Sequence, residues 1–189
     1  MLENQREGQS FRLLFFYAMP LFYYLCAKEM EMDSFNTEKF LLEPAEFYDS
    51  EHLRELFPIN DNEDLAEIEV PLFNAVLVYA IPKDKKEMLP SVYRMVSKIP
   101  DIPAHNKIII EIDRENGTLY LAAIEGNSRL LLLNCYKANG ASNILYYISL
   151  AAKQVMFNPP ITAIYTYTPL NNDETAILER YFQKIITAQ

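Results

Sequence analysis

The chain has 189 residues, half of them hydrophobic, and a formal net charge of −9. That length suits one domain or two small lobes around a packed core. The acidity argues against general nucleic-acid binding, which needs a basic face, and disfavours an anionic membrane surface. The two cysteines, Cys26 and Cys135, stand in apolar surroundings with no metal-ligand neighbour at useful spacing. They read as free, buried thiols in a reducing compartment, which points to the cytoplasm.

In chain order, the first decision falls on Phe11–Cys26. The apolar run Leu13–Ala27 is shorter than the roughly 20 residues of a spanning helix, and Pro20 interrupts it. It reads as a buried helix, against the competing reading of a signal-like segment. Glu29–Asp33 and Lys39–Glu43 follow as short strands. Asp49-Ser50 caps a short helix that runs to Leu56 and stops at Pro58. Asn60–Glu69 is acidic and reads as an exposed connection; as a calcium loop it lacks the glycine-centred spacing. Asn74–Ile81 is a buried strand. Lys83–Lys98 reads as an amphipathic helix that starts or bends at Pro90, with Met88, Leu89, Val92, Met95 and Val96 inward. The proline-bounded segment Pro100–Pro103 divides the chain into halves 1–102 and 103–189.

The clearest signals lie in Lys107–Thr168. Ile108, Ile110 and Ile112 alternate with Ile109, Glu111 and Asp113, a strand pattern over Lys107–Asp113. Asn116-Gly117 supplies a hairpin turn. Thr118–Ile124 returns, Glu125-Gly126-Asn127 turns again, and Arg129–Tyr136 completes a meander. A helix over Asn143–Val155 follows, capped by Ser142 or Asn143, with Ile144, Leu145, Ile148, Ala151, Ala152 and Val155 on one face. Asn158-Pro159-Pro160 ends it. Ile161–Thr168 is a β-branched and aromatic run that suits a strand parallel to Lys107–Asp113. Asp173–Thr187 then reads as a terminal helix, with Ile177, Leu178, Tyr181, Phe182 and Ile185 on one face.

Several stretches resemble an uncharacterised Bacteroidetes family, domain of unknown function 3822. They are the runs from Phe40 to Tyr48, from Asn74 to Pro82, from Leu130 to Asn134 and from Asn143 to Ile148, with Lys153-Gln154 and Asn158-Pro159 beyond. The resemblance covers Met30 to the C-terminus. It implies an α/β fold of the actin-like ATPase type: two ribonuclease-H-like halves, each a meander followed by helix and strand in a mixed sheet. Too few residues precede Phe40 for a complete first meander and helix. The crossover before the second meander is reduced to Pro103–Asn106. A partial first half is therefore expected.

Actin-like ATPases hold phosphate on a hairpin of the form Asp-x-Gly-x-Gly-Thr-x-Asp, whose glycines let backbone N–H groups approach the phosphate. Here Asp113, Gly117 and Thr118 match, while Glu115 replaces one glycine and Tyr120 the second aspartate. An ordinary Asn-Gly turn is the favoured reading. The alternative is a weak ATPase-like nucleotide site on Asp113, Gly117 and Thr118. A ribonuclease-H nuclease needs carboxylates converging on two metals, and neither Asn143–Val155 nor Ile161–Thr168 carries an acid. His52 and His105 read as surface residues, and no Gly-x-Ser-x-Gly elbow exists. No catalytic residue, metal ligand or cofactor is expected. Thirteen tyrosines and eleven phenylalanines are rich for a small core. Tyr146, Tyr147, Tyr165 and Tyr167 are candidates for contact with another protein or a second copy, as in a homodimer, against the competing reading of simple packing. The expected function is a non-catalytic interaction protein.

Overall fold

A computed structural model describes residues 34–100 and 103–188. Phe11–Cys26 and Glu29–Asp33, expected as a helix and a strand, lie outside the described residues, as does Cys26. The described chain opens with β1 (Ser34–Phe35) and β2 (Phe40–Pro44), then α1 (Ser50–Leu56). Asp49 caps α1 as expected, accepting the N–H groups of Glu51 and His52. Next comes β3 (Glu63–Val70), where an exposed connection was expected. The acids misled: Ala66, Ile68 and Val70 alternate with exposed Glu67 and Glu69 and turn inward, so the charges are the solvent side of a strand. A short 3-10 turn over Pro71–Phe73, closed by Asn74 in the left-handed region (φ 49°), returns the chain into β4 (Ala75–Pro82).

Of the helix expected over Lys83–Lys98, only α2 (Ser91–Ser97) forms. Lys85 N–H bonds to the Pro82 carbonyl and Met88 N–H to that of Lys85, so the start is a pair of turns. Pro90 then holds the chain extended, so Leu89–Pro90 becomes β5, and Pro90 is the N-cap of α2. The meander is as expected: β6 (Asn106–Asp113), β7 (Thr118–Glu125) and β8 (Arg129–Lys137). The first turn is a four-residue loop in which only Gly117 has positive φ (62°). Helix α3 (Ala141–Gln154) starts two residues earlier than expected: Gly140 is its N-cap, with no side-chain cap from Ser142 or Asn143. β9 (Thr162–Thr166) pairs parallel to β6, Ile108 opposite Ile164.

The terminal segment is not one helix. It is α4 (Asn172–Leu178), a turn, and β10 (Lys184–Thr187). The Leu178 carbonyl accepts from both Tyr181 and Phe182 N–H, which closes the helix. The β-branched pair Ile185-Ile186 then finds the open edge of β9 and pairs with it in parallel.

Among the described residues the strands form a five-stranded sheet in the order β10-β9-β6-β7-β8 and a three-stranded antiparallel sheet β2-β4-β3, with β1 and β5 paired apart. One face of the large sheet carries Ile108, Ile110, Leu121 and Ile164 and is covered by Ile144, Ile148 and Ala151 of α3 and Leu178 of α4. The other face carries Ile109, Tyr120, Ala122 and Ile124. It packs against Leu77, Tyr79 and Ile81 of the small sheet and Val92, Met95 and Val96 of α2. Burying each such isoleucine stabilises by about 1.5–3 kcal/mol, so β6, covered on both faces, is the spine of the molecule.

Candidate functional site

The β6–β7 hairpin ends β6 with Asp113, which is buried. Asp113 Oδ1 accepts the N–H groups of Glu115 and Asn116, both at 3.1 Å, and Oδ2 accepts from Asn116 Nδ2 at 2.7 Å. The Asn36 side chain donates to it as well, while Asn36 Oδ1 accepts from buried Ser91 Oγ at 2.6 Å. Burial alone would raise the Asp113 pKa; the hydrogen bonds from Asn116, Asn36 and Glu115 outweigh it and hold the carboxyl below its ordinary value. The carboxylate's hydrogen bonds thus go to closing its own turn and to the β1–β2 connection.

Thr118 and Gly117 are also engaged. Thr118 Oγ1 donates to Glu38 Oε1 at 2.7 Å and accepts from Lys137 Nζ at 3.1 Å; Lys137 in turn pairs with Glu38. The Lys137 ammonium, then the Thr118 hydroxyl, hold the Glu38 carboxyl below its usual range. At Gly117 a Cβ would lie 2.1 Å from Asn139 Oδ1, so the glycine's open side faces the Asn139 side chain. Glu115 stands exposed on the loop. Tyr120 is fully buried, its ring 6.2 Å from that of Phe40, and burial pushes its phenol pKa up. A cleft of about 290 Å³ remains beside the hairpin, lined by Asp113, Asn116, Glu38 and Lys39 together with the apolar Phe35 and Pro82. Of these partners, Asn36, Glu38, Lys137 and Asn139 had no signal in the sequence, because each is recruited from another strand or loop.

The four candidate tyrosines fall into two separate pairs. Tyr147 stacks on Tyr136 (4.7 Å, 15°) and meets Tyr146 edge-on (5.1 Å, 77°), with Tyr146 61% exposed. Tyr165 meets Tyr167 edge-on (5.3 Å), and the Arg94 guanidinium lies 4.5 Å over the Tyr167 ring. Arg94 also donates to Glu111 at 2.8 Å. Tyr147 packs with the α3 layer and Tyr165 and Tyr167 with the α2 layer, so the large sheet divides the pairs.

The family described as a protein of unknown function (DUF3822) matches residues 34–185. The chain belongs to that family. This DUF3822 chain is also similar in structure to a Bacteroides thetaiotaomicron protein described as having an actin-like ATPase fold and unknown function. The TM-score is 0.66 at 17% sequence identity, over 81% of this chain and 66% of that one. The likeness is one of fold: an α/β chain of the actin-like ATPase type. The DUF3822 chain spans just under two thirds of that protein's length. No curated protein matches it. Among the described residues, no group of three or more histidines, cysteines or acids is arranged to hold a metal. None of the described helices is long and apolar enough to cross a membrane. His52 and His105 are both exposed, the latter 3.8 Å from Glu125.

Proposed function

We propose that this chain is a non-catalytic protein-interaction module of the cytoplasm, built on an actin-like fold whose phosphate hairpin no longer takes a nucleotide. It acts through contacts with another protein or a second copy of itself, and its chain divides into the halves 1–102 and 103–189. One observation carries the reading: Glu38 places a carboxylate on Thr118 Oγ1 at 2.7 Å, where a phosphate would bring its own negative oxygens. Like charges at that spacing repel strongly in a partly buried site. Asp113, held in its own turn, and Asn139, against Gly117, support the same reading.

Titration calorimetry of the full chain with ATP and magnesium tests it. The expected result is no heat beyond dilution. A magnesium-dependent micromolar signal that disappears in Asp113→Ala overturns the reading in favour of nucleotide binding through Asp113, Gly117 and Thr118. Sedimentation velocity across a concentration series then separates self-association from a different partner.

A further inference from the structure

Among the described residues β2 and β8 are edge strands of different sheets, and they line the two sides of one groove of about 600 Å³. At one end the sides are pinned together by Glu38, which meets Lys137 and Thr118, and by Cys135 Sγ, 3.7 Å from the Glu38 carbonyl. From there β2 runs away towards Pro44 while β8 runs in from Arg129, so the strands run antiparallel along the groove.

Hydrogen-bond parity says which backbone groups face the gap. Ala80 N–H bonds to the Lys39 carbonyl and Ala45 N–H to that of Asn74. Lys39, Leu41, Glu43 and Ala45 are therefore the residues bonded to β4, and Phe40 and Leu42 turn their backbone groups outward, while the Pro44 carbonyl is taken by the Phe47 N–H at 2.9 Å. On the other side Ala138 N–H bonds to the Gly117 carbonyl, which turns Leu133 and Cys135 outward. Cys135 N–H agrees with this, being taken by the neighbouring Asn134 side chain at 2.8 Å. Phe40, Leu42, Leu130 and Leu133, all packed on the core between the sheets, give the groove an apolar floor.

We propose that this groove takes a short extended segment of a partner protein, which hydrogen-bonds as a strand to both β2 and β8. The argument for the occupant is complementarity of partial charge. Each side presents N–H and C=O groups towards the gap, and an extended backbone with donors and acceptors on both sides matches both. An edge strand from a second copy has one free side and can match only one wall. With strands about 4.8 Å apart, sheets about 10 Å apart and a rise of about 3.3 Å, the volume holds roughly four residues. The occupant alternates apolar and polar side chains, the apolar ones on the leucine floor. Pro44, which has no N–H, and the unpaired Leu131 bound the pairing at the end away from Glu38. This inference rests on the interaction reading and names its site.

The test uses the full chain and a phage library of random decapeptides, with selected peptides measured by fluorescence polarisation. Hydrogen exchange on the peptide complex should slow at the amides of Phe40, Leu42 and Leu133 by about tenfold or more, the effect of a hydrogen bond made at each. N-methylation of the central peptide residues should weaken binding about tenfold. Leu42→Pro removes a groove-facing N–H without breaking the β2–β4 ladder, and should weaken binding more than Leu42→Ala. Selected peptides that slow exchange elsewhere, or on one wall only, overturn the proposal while leaving the interaction reading standing. Failure to select any peptide overturns it too. So does concentration-dependent protection of these amides without peptide, which would make the occupant a second copy. The interaction reading itself falls on the magnesium–ATP titration.

Discussion

Gly117 shows how one residue serves a turn and a contact together. Its φ of 62° is a conformation that side chains disfavour, and its open side faces Asn139. Gly117→Ala should therefore destabilise by more than about 1 kcal/mol, measured by urea unfolding. Adding Asn139→Ala should recover part of that loss and not all of it, because the backbone strain remains; strict additivity would show that the two residues are not coupled. Cys135 makes a second prediction. Burial, with the Glu38 charge adding, pushes its thiol pKa up, so the reactive thiolate is scarce at neutral pH. Iodoacetamide should label Cys135 more slowly than free glutathione at pH 7.5, read by peptide mapping, and Glu38→Gln should speed it. Labelling as fast as glutathione would contradict the burial argument.

At the scale of elements, the run Leu130–Leu133 is resolved by a bulge. Ala123 pairs with Leu132 and Ile124 with Leu130, leaving Leu131 without a partner. The extra residue lets Leu131 and Leu132 both meet the α3 layer while Leu130 and Leu133 meet the α2 layer. Without it, strict alternation would turn Leu130 to the wrong face. Deleting Leu131 should destabilise the fold by about 2 kcal/mol, the burial of one leucine, as a lower urea midpoint with an unchanged slope. An unchanged midpoint would mean that the edge strand repacks freely. Helix α4 depends on a different device. Asn171 and Glu174 form a reciprocal capping box, with both bonds at 2.9 Å, so Asn171→Ala should destabilise by about 1 kcal/mol.

For the whole molecule, the tie between the hairpin and the terminal segment is Arg114. Its Nη1 and Nη2 reach Glu174 Oε1 and Oε2 at 3.0 and 2.9 Å, and Nη2 also bonds to the Pro169 carbonyl at 2.7 Å. Glu174 is only 2% exposed, whereas the Arg114 side chain is 45% exposed. Removing the arginine strands a buried carboxylate, so Arg114→Ala should destabilise by about 2 kcal/mol, below the full value for a buried pair because the arginine is half in water. The arginine, chiefly, also holds the Glu174 carboxyl below its ordinary value. A carboxyl with a depressed folded pKa binds protons more weakly folded than unfolded. Its stabilisation is present above about pH 4.5 and is lost as pH falls through the folded pKa. Glu38 and Glu63, held down mainly by Lys137 and Lys39, act in the same direction. Stability should therefore fall steadily below pH 4.5, and Arg114→Ala should flatten that acid limb; an acid limb equally steep in the variant would remove Glu174 from the account.

The features readable from the residues alone were local and periodic. The alternation of Ile108 to Ile112, the Gly117 turn and the helical stripe from Ile144 to Ala152 each rest on neighbours a few residues apart. They were enough for the meander, the helix and the parallel return strand. The tertiary structure decided everything that needs a distant partner. β3 hides as an acidic run until Ala66 and Ile68 find the core. Ile185 and Ile186 are equally good on a helix face or a strand until the edge of β9 offers hydrogen bonds. Asp113, Gly117 and Thr118 stood out in the sequence as hairpin residues, but the side chains that engage them did not. Glu38 reaches Thr118 from 80 residues away and Arg114 reaches Glu174 across 60. No local pattern encodes such pairs, because bringing them together depends on the whole chain having folded.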